Sequence, residues 1–140
     1  MNRLLPLAAL ALAFFAPAAN AKTVVVADAQ DGKAVILSAG DTLVVHLAIK
    51  SATASVWHLV YSPEEMLRLN GPPRYLYPPT HTILVYSGGP ATEEFRFTVP
   101  EGKANFVTGA WLRFLFLSSF ESGVKAAKLW EIRYTIKATP

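Results

Sequence analysis

Residues 129–137 read Leu129-Trp130-Glu131-Ile132-Arg133-Tyr134-Thr135-Ile136-Lys137. Trp130, Ile132, Tyr134 and Ile136 alternate with Glu131, Arg133, Thr135 and Lys137. Successive side chains of a strand point to opposite faces, so this run predicts a β-strand with one face in a core and the other in water. The preceding run, Asn105 to Leu117, is apolar on both sides: Trp111, Arg113, Leu115 and Leu117 share one face, and Leu112, Phe114 and Phe116 share the other. It predicts a central strand paired with the first. Between them Ser118 to Lys128 (SSFESGVKAAK) has no periodicity and holds one aromatic, Phe120, close to a glycine. Loops on a rigid sheet commonly carry function, which makes this a first candidate site.

Toward the N-terminus the same period recurs. Glu93 to Val99 predicts a strand with Phe95, Phe97 and Val99 inward and Glu94, Arg96 and Thr98 outward. Thr42 to Ile49 sets Leu43, Val45, Leu47 and Ile49 against Thr42, Val44, His46 and Ala48, and the alternation resumes at Trp57, Leu59 and Tyr61. Thr23 to Ala27 and Lys33 to Ser38 are short β-rich runs, followed by turn signals at Asp28 to Gly32 and at Ala39-Gly40-Asp41. Turns arrive about every ten residues, the rhythm of a sandwich or barrel. The segment from Ser62 to Thr80 is irregular. Ser62-Pro63-Glu64-Glu65 resembles a helix start, but Pro72, Pro73, Pro78 and Pro79 exclude a long regular element. Met66 to Leu69 fits a short edge strand. The prolines of 72–79 fit edge loops better than a polyproline recognition segment. Thr82 to Tyr86 reads as extended.

The first 21 residues form a different unit. Arg3 supplies a positive flank, Leu4 to Phe15 a short apolar run, and Ala19-Asn20-Ala21 a small-residue cleavage pattern, so a secretory leader cut after Ala21 is expected. Pro17 and Asn20 shorten the run below the roughly 20 apolar residues of a spanning helix. No stable membrane insertion is expected after cleavage, and the destination is periplasmic or secreted. The mature chain, Lys22 to Pro140, is one domain that buries roughly two thirds of its unfolded surface. Of the 13 Lys+Arg only Arg3 lies in the leader, which leaves 12 against 10 Asp+Glu, or +2. These charges are dispersed, so nucleic acid is not implied. The chain has no cysteine, which excludes disulfides, a thiol nucleophile and a lipid-modified N-terminal cysteine.

Several short matches in order resemble one family. Val35, Leu37, Gly40, Asp41 and Leu43 fit the pattern V-x-L-x-x-G-D-x-L, and Trp57 follows a threonine-containing loop. Phe114-Leu115-Phe116-Leu117, Phe120-Glu121-x-Gly123 and Ala127-Lys128-x-Trp130-x-Ile132 continue the series. This pattern is similar to the chagasin-like inhibitors of papain-type cysteine proteases. The resemblance implies an immunoglobulin-like β-sandwich in which three loops at one end plug a protease cleft. The first family loop, N-P-T-T-G-Y-x-W, corresponds to Lys50-Ser51-Ala52-Thr53-Ala54-Ser55-Val56-Trp57, where only Thr53 and Trp57 survive. The second, G-x-G-G, corresponds to Ser87-Gly88-Gly89. The third, R-P-W, is replaced by Ser118-Ser119-Phe120. Loss of the stiffening proline and the bending glycine raises the ordering cost of the first loop. Phenylalanine in place of tryptophan keeps an aromatic anchor but loses the indole donor. Weaker inhibition than in the family is the expectation.

By the resemblance, the protease-binding loops comprise Lys50, Ser51, Ala52, Thr53, Ala54, Ser55, Ser87, Gly88, Gly89, Ser119, Phe120, Glu121 and Ser122. Thr53 is either the tip over a catalytic cysteine or an ordinary polar loop residue. Phe120 is favoured as an anchor, since Ser118, Ser119 and Ser122 give it no apolar cover, and Gly88-Gly89 is favoured as a turn. His46, His58 and His81 lack metal-ligand spacing, so solvent-facing or edge positions are expected, with no metal and no cofactor. No Ser-His-Asp set, carboxylate pair or phosphate loop is recognisable, and no enzymatic activity is expected. The tryptophans are read as core residues, with Trp111 alternatively lining a groove. The combined expectation is an all-β immunoglobulin-like sandwich of about seven strands whose partner is a papain-like cysteine protease. The alternative is a non-inhibitory module on the same scaffold that binds another exported protein.

Overall fold

The computed structural model describes residues 20–50, 55–61, 66–78, 89–101, 107–118 and 128–137. The described residues form nine strand segments: β1 (Thr23–Ala27), β2 (Ala34–Ser38), β3 (Thr42–Lys50), β4 (Ser55–Tyr61), β5 (Arg68–Leu69), β6 (Arg74–Leu76), β7 (Pro90–Thr98), β8 (Val107–Ser118) and β9 (Lys128–Lys137). They make two sheets. One runs β1-β3-β7 with β5 and β6 both on the far side of β7; the other runs β2-β9-β8-β4. The chain is an all-β immunoglobulin-like sandwich, as expected. The segment expected to be a leader, residues 1–21, lies almost wholly outside the described residues, as do Thr82 to Tyr86 and His81.

Nine segments correspond to seven strands because two strands are split. A 3-10 turn at Asp28–Gln30 separates β1 from β2, so that β1 lies parallel to β3 while β2 crosses to the other sheet and lies parallel to β9. Acidic side chains close the edges that this switch leaves bare. Asp28 Oδ2 accepts the Ala48 N–H at 3.0 Å, and Asp31 Oδ1 accepts the Glu131 N–H at 2.9 Å. The second split strand lies along β7, where Arg68 faces Thr98 and Arg74 faces Glu94. Pro72 and Pro73 interrupt it, since proline cannot donate to a ladder. The edge-strand expectation at Met66 to Leu69 is met by Arg68–Leu69. The proline segment differs from the loop expected: Arg74–Leu76 pairs with β7.

The two long C-terminal strands behave as their pattern predicts. β8 pairs antiparallel with β9 and with β4, which makes it central. Trp130, Ile132, Tyr134 and Ile136 are buried, as are Leu112 and Phe114. Phe114 joins the sheets, with its ring 4.6 Å from Phe95, 6.3 Å from Phe97 and 5.9 Å from Trp130 between centroids. Burying each such side chain contributes about 1.5–3 kcal/mol before conformational entropy is subtracted. Near its start β8 bulges between Val107 and Ala110, and Gly109 at φ +64° supplies the left-handed residue there.

Three outward positions depart from the simple alternation. Val44 is buried, and so is Glu94 at 5% exposure, although both belong to the outer face. Glu94 is covered by partners: Arg96 Nε lies 2.7 Å away, His46 Nε2 2.8 Å and Arg74 Nη1 3.8 Å. The Arg96 hydrogen bond, followed by that of His46, holds the Glu94 carboxyl below its usual range. Trp111 is the third departure. It belongs to the outer face of β8, flanked by the guanidinium groups of Arg133 at 4.6 Å and Arg113 at 4.9 Å. It is therefore not a core residue, unlike Trp57 and Trp130.

Candidate functional site

Strand direction and register determine where the candidate loops begin and end. β3 ends at Lys50, which lies opposite Pro90, the first residue of β7. β4 begins at Ser55, opposite Ser118, the last residue of β8, and Phe116 lies opposite Lys128, the first residue of β9. The strand ends that flank 51–54, 79–88 and 119–127 therefore share one end of the sandwich. Of the candidate residues, Lys50, Ser55 and Gly89 are described and lie at this end: Lys50 is exposed, and Ser55 and Gly89 are partly buried. Ser51, Ala52, Thr53, Ala54, Ser87, Gly88, Ser119, Phe120, Glu121 and Ser122 lie outside the described residues.

Beneath these strand ends one residue is tied to four other strands. Trp57, two residues into β4, is 3% exposed. Its indole Nε1–H donates to the Ala48 carbonyl of β3 at 3.0 Å, and its backbone N–H donates to Glu93 Oε2 of β7 at 2.9 Å. Its ring packs on Phe116 of β8 with centroids 5.1 Å apart, and Lys128 Nζ of β9 sits 5.8 Å from the ring centre. Each of these partners is within a few residues of a candidate loop. Trp57 thus ties together the bases of all three connections, and two of its ties bridge the sheets. A stiff base reduces what a loop must lose on binding.

Glu93 is the residue that the sequence reading did not single out. Its position on β7 puts it on the inner face, where it is 1% exposed. Burial pushes its carboxyl above the usual range, opposed by the Trp57 N–H bond and by nearby His58. Opposite it on β6, Tyr75 is raised by burial and then by the Glu93 and Tyr77 charges. A glutamate in phase with Phe95 and Phe97 was the available signal. Held by a backbone N–H from the other sheet, this carboxylate acts as a structural clamp. His46 pairs with Glu94 and His58 is exposed, and no cluster of three or more acids and histidines occurs among the described residues.

The sandwich has counterparts among solved structures. Its fold is similar to that of the cysteine protease inhibitor EhICP2 from Entamoeba histolytica, with a TM-score of 0.65 at 15% identity, covering 83% of this chain and 96% of the other. It is similar also to amebosin, with a TM-score of 0.59 at 8% identity, covering 84% and 99%. PbICP-C, solved in complex with falcipain-2, aligns at a TM-score of 0.49 and 17% identity, covering 83% and 99%. No family model and no curated protein sequence matches the chain. At these identities the likeness is one of fold.

Proposed function

We propose that this protein is an exported inhibitor of papain-like cysteine proteases, acting in the periplasm or outside the cell through a protein surface. Residues 50–55, 87–89 and 119–122 form the blunt edge that enters the protease cleft. The observation that carries the reading is the pairing of Lys50 with Pro90 and of Ser55 with Ser118, with Lys128 close by, at one end of the sandwich. The fold likeness to EhICP2 supports it. In this reading Thr53 lies over the catalytic cysteine without offering a cleavable bond, and Phe120 fills an apolar subsite as an anchor.

Titration of papain-type proteases with the chain from Lys22 to Pro140 tests the reading. Inhibition that competes with substrate is expected, weakened about tenfold or more by Thr53→Asp and by Phe120→Ala. Inhibition indifferent to both substitutions means that the contact surface is elsewhere. The second reading, a module binding a different exported protein, is favoured by the replacement of R-P-W with Ser118-Ser119-Phe120. Absence of inhibition at high micromolar concentration would select it.

A further inference from the structure

Asp41 lies at the end of the sandwich opposite the candidate loops, in the turn between β2 and β3, and is 2% exposed. Its carboxylate accepts two backbone N–H groups: Oδ2 from Ser38 at 2.8 Å and Oδ1 from Lys22 at 3.0 Å. Lys22 is held there from its other side as well, since its carbonyl accepts the Thr42 N–H at 2.9 Å and β1 begins at the next residue. No ion pair among the described residues involves Asp41. The Glu101 carboxylate lies against Gly40 of the same turn and adds a second negative charge. A buried charge is strongly disfavoured unless it is paired, and among the described residues this one is bonded to backbone amides while the chain before Lys22 is intact.

We propose that Asp41 is the binding site for the chain's own new N-terminus. Hydrolysis of the Ala21–Lys22 peptide bond adds one water: its oxygen joins the Ala21 carbonyl carbon, the C–N bond breaks, and both water protons end on the Lys22 nitrogen. The departing leader carries a carboxylate, and Lys22 carries an ammonium where its amide stood, 3.0 Å from Asp41 Oδ1. Processing thereby replaces a neutral amide donor to the Asp41 carboxylate with a part-buried ion pair, and it stabilises the fold only when the cut falls at this bond. The inference rests on reading residues 1–21 as a removable leader and is independent of the inhibitor reading. Among the described residues, Asp41 is the charged group bonded to the Lys22 nitrogen, and Glu101 lies against Gly40 of the same turn.

The test compares chains beginning at Lys22 and at Asn20, released from a fusion partner without added residues. Both contain every strand, from Thr23 to Lys137. In the longer chain the ammonium is displaced by roughly 7 Å along an extended backbone. Urea unfolding at pH 6.5 is expected to give a folding equilibrium constant about tenfold larger for the Lys22 chain. An α-ammonium ordinarily titrates at about 7.7–8.0, and a carboxylate partner raises that value in the folded state, so the advantage is present below about pH 8 and lost above it. The ratio should fall to about one at pH 10, and Asp41→Asn in both chains should abolish it at pH 6.5. The full chain exported by a bacterium should begin at Lys22 by N-terminal sequencing. Equal stability at pH 6.5, an advantage that persists at pH 10, or an exported chain with another first residue would overturn the proposal. Should Asp41→Asn fail to fold, the pH comparison of the two unsubstituted chains decides.

Discussion

At the loop-bearing end Glu93 reaches from β7 in one sheet to the Trp57 N–H in β4 of the other, 36 residues away, whereas at the opposite end Asp41 captures the Ser38 N–H three residues back in its own turn. Both carboxylates are buried, and both hold backbone donors. They differ in what has to form first. The Asp41 bond closes a short loop, with a small entropy cost, and the adjoining Gly40 at φ +83° makes the turn possible. A side chain added at Gly40 would also meet Glu101 Oε1 at 2.9 Å. The Glu93 bond exists only after the sheets have packed, and it carries the desolvation cost of a charge inside the core. The Asp41–Ser38 bond comes from local chain geometry, the Glu93–Trp57 bond from long-range packing.

That contrast can be broken at several points. The largest effect is expected from Trp57→Ala, which empties the loop base and should cost about 3–5 kcal/mol in urea unfolding. Trp57→Phe keeps most of the volume but strands the Ala48 carbonyl, and should cost about 1–3 kcal/mol. If the two were equally harmful, the indole bond to β3 rather than packing would be the main tie.

Next in size is Asp41→Ala, which leaves the Ser38 and Lys22 N–H groups without their acceptor and should cost about 2 kcal/mol. Glu93→Gln should act in the opposite direction, because its carbonyl can still accept the Trp57 N–H while the buried charge is removed. Burial raises the folded Glu93 carboxyl, so its ionisation disfavours the folded state once the pH exceeds the unfolded value of about 4.3. Stability of the glutamate form should therefore fall as pH rises through the folded value. The Glu93→Gln advantage should be present at pH 7 and shrink toward pH 4. A loss at pH 7 would mean that the charge strengthens the N–H bond by more than its burial costs.

On the outer faces the expected effects are smaller. Glu94 is held low by Arg96 and His46, so its contribution is present above about pH 4.3 and lost as the pH falls through the folded value. Acid titration of Glu94→Gln beside the parent chain should show this as a difference that vanishes at low pH. Arg113→Gln breaks a 2.7 Å bond to Glu131 and the contact with Trp111 at the surface, and should change stability by no more than about 1 kcal/mol. These two substitutions should leave the loop-bearing end unaffected, since both side chains belong to the outer faces while Glu93 and Trp57 point inward.

Much of the fold was legible in the alternation of β3, β7, β8 and β9, because a half-buried strand must put apolar groups on every second position. The turn at Gly40-Asp41 was equally readable from two residues. The proline segment was harder to read: the edge strand Arg74–Leu76 has only three residues and gains its order from β7 rather than from its own pattern. Of the candidate site, the threonine loop came from family resemblance, whereas Phe120 stood out already in the aperiodic run between the two C-terminal strands. Neither Glu93 nor the fourfold role of Trp57 was visible, since alternation names the face of a residue but not the neighbour it meets.

The linear chain determined that this is a cysteine-free set of amphipathic strands with turns between them, because side-chain period and turn chemistry act over a few residues. Tertiary structure decided which strands lie side by side and which backbone groups are left for Glu93, Asp28 and Asp31 to satisfy. It also brought the ends of β3, β4, β7, β8 and β9 to one end of the molecule. Those outcomes depend on strand order and on the packing of two sheets, which are properties of all the contacts together and of no single stretch of sequence.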